Sequence, residues 1–213
     1  MCPILATSLS GDSTSIRRQS EHPEACAREA HLQIVFETHS ISEDNERGIA
    51  TGWLPGRLSP RGRALARELG ARRHDDGLAA VFCSDLTRAY ETAGIAFADT
   101  GIPIFLDWRL RECNYGDFNG TPVHLLHVQR VAHLDTPYPN GESWKTALAR
   151  VLGVLPDLRS RWPDARVLLI GHVATRWALD HALTGARLED LAHADFAWQP
   201  GWEYEWDGRP LTD

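Results

Sequence analysis

The chain has 213 residues, 43% of them hydrophobic and 24% charged, and a formal charge of -7 at pH 7. That length suits one domain with a single sizeable core, and the composition is too apolar for a disordered chain. The acidic balance and the scattered arginines leave no basic face, which argues against nucleic acid as a partner. No apolar run reaches the roughly 18 residues a membrane span needs. Cys2, Cys26, Cys83 and Cys113 show neither C-x-x-C pairing nor metal-finger spacing. Free thiols, a cytoplasmic location, no membrane and no nucleic acid are therefore expected.

Residues 1–30 are rich in Ser, Thr, Glu and Arg without sustained periodicity, and a mobile N-terminal extension is expected there, with one domain over 31–213. From Leu32, "LQIVFE" is a nearly continuous apolar run, the pattern of a strand buried on both faces, and His39 follows its end. A Gly/Pro-punctuated loop leads to "RGRALARELGARR", where Ser59 and Pro60 are start signals and Leu65 and Leu69 share a helical face. "LAAVFCS" reads as a second buried strand, and "DLTRAYETAGIAFADTG" as a helix closing at Gly101. "IPIFLDWRLRE" reads as extended. "SWKTALARVLGVLPDLRSRW" reads as one long helix, with Ala147, Val151, Val154, Leu155 and Leu158 apolar. "RVLLIGH" is the cleanest strand, ending at His172 before the helix "TRWALDHAL". Strands are thus predicted at 33–37, 79–83 and 166–170. The alternation implies a three-layer α/β/α fold with a mainly parallel central sheet, whose ligands bind beyond the carboxyl ends of the strands. His39 and His172 should lie side by side at that edge.

Arg88 sits just past "VFCS" and Glu112 just past "LDWRLR". Four strand ends would then deliver two imidazoles, a guanidinium and a carboxylic acid to one place. Phosphoryl transfer through histidine needs such a set: a neutral imidazole to attack, fixed donors on phosphate oxygens, and an acid for the leaving oxygen.

The segments "THSISEDN", "TGWLPGRLSPRG", "CSDLTRAYETA", "LRECNYGDFNG", "PNGES" and "LLIGHVATRWALDHAL" follow one another at spacings that resemble the histidine phosphatase (phosphoglycerate mutase-like) superfamily. The resemblance runs from about Leu32 to about Tyr204. It implies His39 as nucleophile, Glu112 as proton donor and His172 as the second catalytic histidine. It also implies Arg88, Asn45, Ser42, Thr38, Ser40, Val173 and Arg176 around the phosphate or substrate, a "PNGES" segment overhanging the pocket, and no metal or other cofactor. The implied partner is a small phosphorylated metabolite, with a homodimer left open.

Two positions depart from the family pattern. The arginine before the nucleophile is Thr38 here, and the glycine after it is Ser40. A threonine hydroxyl offers one neutral hydrogen bond where a guanidinium offers a charged fork. Arg47, Arg57 and Arg176 are candidates to replace the charge. Arg176, at the start of the helix after His172, is preferred, with His172 itself expected as an imidazolium; a plain pairing of Arg176 with Asp180 is the alternative. Cys113 after the acid, and a short segment "TPVHLLHVQRVAHLDTPY" with one arginine, favour a phosphatase over a mutase. His124, His127 and His133 have spacing that suits one helix, and solvated or lid positions are expected for them instead of a metal site. Trp108, Tyr115, Phe118 and Trp144 are candidates to line an apolar substrate face, with core packing the preferred expectation. A weak or inactive relative that binds a phosphorylated ligand, and an acid–base enzyme acting on a substrate without phosphate, are the readings from other classes.

Overall fold

The computed structural model describes residues 31–211. The expected extension over residues 1–30 lies outside the described residues. In chain order the elements are β1 (Leu32–Thr38), α1 (Glu43–Glu46), β2 (Ile49–Ala50), α2 (Pro60–Arg73), β3 (Ala80–Cys83), α3 (Thr87–Phe97), β4 (Ile104–Leu106), β5 (Thr121–Pro122), α4 (Val123–His127), α5 (Trp144–Leu152), α6 (Leu155–Arg161), β6 (Arg166–Gly171), α7 (Val173–Leu179), α8 (Leu188–His193) and β7 (Trp202–Trp206).

Among the described residues five strands form the main sheet in the order β4-β3-β6-β1-β7. β1, β3, β4 and β6 run parallel, and β7 closes the β1 edge antiparallel. β1, β3 and β6 are the three predicted strands, and their continuous apolar runs reflect helices packed on both faces of a parallel sheet. Two clusters fill those faces. One gathers Ile34, Phe36, Phe82, Leu169 and Trp144 with α5, α6 and α7; the other gathers Val35, Val81, Leu168, Ile170 and Phe97 with α2 and α3.

Four readings need correction. The long helix expected over 143–162 is two helices, because Gly153 caps α5 and Pro156 opens α6. The third extended segment is a three-residue strand followed by a 3-10 turn at Trp108–Leu110, where the Asp107 carboxylate accepts from the Arg109 N–H. Trp108 is exposed, whereas Tyr115 and Trp144 pack in the core as expected. β7 was not anticipated, although "WEYEW" alternates with Tyr204 and Trp206 buried and Glu203 and Glu205 exposed, the period of a strand covered on one face.

α2 lies against the loop that follows β1. A Cβ on Gly62 would stand 1.9 Å from the Ile41 carbonyl oxygen, so only glycine allows this approach. Its far end is anchored by a buried ion pair: the Arg73 Nε donates to Glu37 Oε1 at 2.9 Å, Arg72 reaches the same oxygen at 3.0 Å, and Arg73 Nη2 donates to the Pro200 carbonyl. Removing one partner of a buried pair leaves the other charge desolvated and unpaired. Glu37→Ala is accordingly expected to lower the unfolding free energy by about 3 kcal/mol, read as a lower urea midpoint with unchanged slope.

Candidate active site

The parallel register of β1 and β6 places Thr38 opposite Gly171, and the His39 N–H donates to the Gly171 carbonyl at 3.0 Å. The next residue on each strand is therefore a histidine, and the two rings sit 4.9 Å apart between centroids. Gly171 is required where it stands, since a Cβ would meet Thr175 Oγ1 at 2.3 Å as α7 turns back over the strand end.

Arg88, on the first turn of α3, lies buried between the histidines. Its Nε donates to His39 Nε2 at 3.3 Å, and its Nη2 donates to the Gly52 carbonyl at 2.8 Å and approaches His172 Nδ1 at 3.4 Å. A guanidinium only donates, so these contacts settle both tautomers. His39 carries its proton on Nδ1, which donates to the Ser40 carbonyl at 2.7 Å, and keeps a lone pair on Nε2. His172 accepts at Nδ1 and carries its proton on Nε2. Among the described residues the buried side-chain polar atoms without a partner are Arg88 Nη1, His172 Nε2 and Arg130 Nε. The first two belong to this site, and buried donors of that kind are satisfied by an acceptor.

Burial first, and then the charge of Arg88, hold His39 down at about 3 and His172 well below the ordinary 6.5. The imidazolium expected at His172 is thus corrected: in the unliganded site it is neutral. Glu112 is also buried, and burial raises its carboxyl above the usual 4.5, against the pull of three backbone N–H groups and Arg88. Cys113 N–H at 2.8 Å and Ala174 N–H at 3.1 Å donate to Oε1, whereas Oε2 accepts only the Val173 N–H, at 3.2 Å. Oε2 therefore has the lone pair that can take a proton.

His39, Glu112 and His172 line one cavity of about 580 Å³, together with Thr38, Ser40, Asn45 and Val173. Asn45 Oδ1 accepts from the backbone N–H of Ser42, and from its hydroxyl at 2.9 Å, which leaves the Asn45 amide hydrogens for the cavity. Ser42 itself is a fully buried cap of α1 and does not line the cavity, which corrects its expected place at the phosphate. Ser40 acts through its backbone: its N–H donates to Thr92 Oγ1, tying the loop to α3, while its carbonyl orients His39. Val173 lines the cavity, yet its N–H is engaged by Glu112.

Arg176 is the clearest correction. Its Nε donates to Asp180 Oδ2 at 3.1 Å, and its guanidinium stacks over Trp202 at 4.4 Å and Phe196 at 5.7 Å. It is spent on that wall and does not reach the cavity, as the helical i, i+4 geometry with Asp180 favours. Arg47 and Arg57 pair with Asp44 and Glu43 and do not line it either.

The "PNGES" segment does not overhang the pocket. Glu142 accepts from Arg150 at 2.8 Å and from the Asn114 N–H at 2.9 Å, and Arg150 donates to the carbonyls of Arg109, Arg111 and Glu112. Trp53 Nε1 adds a bond to the Glu112 carbonyl at 2.6 Å. This brace positions the acid, and sequence reading missed it because its parts lie on separate elements with no shared spacing. His124 and His127 lie on α4 and His133 in a separate 3-10 turn, not on one helix. Among the described residues no group of three or more His, Cys, Asp or Glu side chains gathers as a metal would require, and no helix is long and apolar enough to cross a membrane.

With this geometry in hand, the comparisons with known proteins are unambiguous about class. The family profile described as "Histidine phosphatase superfamily (branch 1)" matches residues 34–199, and the chain belongs to that superfamily. It is 32% identical over 198 residues to the 2,3-bisphosphoglycerate-dependent phosphoglycerate mutase of Methylobacterium sp. (strain 4-46), covering 84% of this chain and 89% of that protein. Among solved structures it is similar to Bacillus stearothermophilus YhfR, with a TM-score of 0.73, 26% identity, and coverage of 85% and 94% of the two chains. It is also similar to mycobacterial glucosyl-3-phosphoglycerate phosphatase complexed with VO3, with a TM-score of 0.65, 27% identity, and coverage of 76% and 86%.

The neutral histidines have a measurable signature. Imidazole ¹⁵N spectra of the unliganded protein at pH 5 should show His39 protonated on Nδ1 alone and His172 on Nε2 alone, where a free imidazole is mostly charged. The linked effect on stability has a definite sign. Because the His39 pKa is depressed on folding, the unfolded chain binds the extra proton, and stability is lost as pH falls from about 6.5 towards 3.

Proposed function

We propose that this protein is a phosphatase that hydrolyses a small phosphomonoester through a phosphohistidine at His39. The observation that carries the reading is that His39, whose unprotonated Nε2 accepts from Arg88 at 3.3 Å, lines the same cavity as His172 and Glu112, while the His172 Nε2–H and the Nη1 of the adjoining Arg88 are buried donors without partners. In the first step His39 Nε2 attacks phosphorus, the bond from phosphorus to the ester oxygen breaks, and Glu112 Oε2 gives its proton to that oxygen to release the alcohol. Water then attacks the phosphohistidine, Glu112 takes the water proton, and the N–P bond breaks to free His39 and phosphate. Arg88, His172 and the Asn45 amide hold the three oxygens whose charge is redistributed as phosphorus transfers.

Hydrolysis is favoured over mutase chemistry because neither the position after the acid nor the 121–138 segment brings an arginine to the cavity. Cys113, beside the acid, is buried at its foot. The arginine of the 121–138 segment, Arg130, lies over the Trp177 ring at 5.4 Å and does not line the cavity. A cytoplasmic location and a small phosphorylated metabolite as partner belong to the same reading.

The test is phosphate release from an alkyl ester and from p-nitrophenyl phosphate, whose leaving oxygen is weakly basic. His39→Ala should lower both rates by at least about 10⁴. Glu112→Gln should slow the alkyl ester by roughly 10²–10⁴ and the nitrophenyl ester far less. Equal losses on the two esters would remove Glu112 from the acid role, and phosphate release that survives His39→Ala would remove the nucleophile.

A further inference from the structure

The cavity is far larger than a phosphate requires, and its excess runs in one direction. Beyond His39 it follows one face of α2, where Arg61, Leu65, Leu69 and Arg72 recur on successive turns. At 1.5 Å per residue that face is roughly 16 Å long. The opposite wall is the segment between α8 and β7, which presents Phe196 and Trp198. Those two rings are 42% and 60% exposed, yet the segment carrying them is held. Arg176 stacks on Phe196 and Trp202, and the Pro200 carbonyl accepts from Arg73 Nη2 at 3.0 Å. Two large apolar rings kept partly bare on a cavity also lined by the partly exposed Leu65 and the buried Leu69 form a slot for a flat apolar group.

Thr38 opens this arm. It ends β1 on the cavity wall beside the nucleophile, and its short side chain leaves free the space that a longer one from the same strand end would fill. The arm carries charge as well: Arg72 is paired with the buried Glu37, while Arg61, beside Gly62 at the end of α2 that meets the loop after β1, and Glu68 are exposed side chains on its lining.

We propose that this arm, between Leu65 and Leu69 on one side and Phe196 and Trp198 on the other, binds the leaving group of the substrate, so that the site selects phosphomonoesters of planar, apolar alcohols over those of small polar ones. The inference rests on the phosphatase reading for its chemistry, but the arm can be tested without turnover. The phosphoryl end sits between His39, Arg88 and His172, and the aryl or other flat group extends along α2. The bond that breaks is the one joining the two parts of the cavity.

The experiment compares binding of 1-naphthylmethylphosphonate and methylphosphonate by calorimetry in the wild type, Trp198→Ala and Thr38→Arg, alongside phosphate release from 1-naphthyl phosphate and glycerol 1-phosphate. Trp198 is exposed enough that its truncation leaves the core intact, and circular dichroism verifies the fold of both variants. The wild type should bind the naphthyl compound at least about tenfold more tightly than the methyl one, and Trp198→Ala should reduce that ratio about fivefold, the scale of one lost aromatic contact. Thr38→Arg, which fills the arm from the strand side, should reduce it further, and the ratio of the two turnover rates should follow in the same order. A naphthyl-to-methyl ratio near one in the wild type, or one untouched by both variants, overturns the assignment of the arm. Selective binding without phosphate release from either ester would instead uphold the arm and remove the phosphatase reading.

Discussion

The buried guanidinium of Arg88 is the constraint on which the site depends. Desolvating a cation is costly, and the groups immediately around this one are two imidazoles and a backbone carbonyl, not a carboxylate in contact. Burial first, and then its field, suppress protonation of both histidines, while its unpartnered Nη1 and the His172 Nε2–H point to the same need for an acceptor. Two properties that would conflict in water, a strong positive potential and a neutral nucleophile beside it, are thereby reconciled by burial.

Glu112 is held by a different balance. The first N–H groups of α7 and that of Cys113 favour the carboxylate, and burial favours the neutral acid. The two oxygens are not equivalent, because Oε1 takes two of the three bonds. The brace of Arg150, Glu142 and Trp53 acts on the backbone of Glu112, so the side chain is positioned without a further cation beside its oxygens. Such indirect support preserves the acid's raised affinity for a proton, which a direct arginine contact would cancel.

Thr38 and Arg176 change meaning together. Where a guanidinium would clamp phosphate from the end of β1, the chain leaves room, and the arginine that might have replaced it builds the aromatic wall across that room through Asp180, Trp202 and Phe196. Loss of charge at one end of the cavity is accompanied by order at the other. The consequence is a site whose unengaged donors belong to Arg88, His172 and Asn45, beside a cavity that extends along α2.

The buried parallel strands, the helix starting at Ser59, and the positions of His39 and His172 at strand ends were legible in the sequence, because continuous apolar runs and cap residues act locally; Arg88 instead sits on the first turn of α3, and Glu112 follows the 3-10 turn after β4 and not the strand itself. The helix break at Gly153 was also written locally, in Gly and Pro signals that the apolar spacing of Val151 to Leu158 outweighed, and the alternation of "WEYEW" was visible but unassigned. What only the tertiary structure decided are relations between elements that carry no shared spacing: the β1–β6 register that sets two histidines ring to ring, the tautomers imposed by Arg88, the neutral state of His172, the capture of Ser42 by Asn45 and of Arg176 by its aromatic wall. A side chain's partner depends on which element folds against it, and charge, hydrogen bonding and desolvation are settled only at that contact.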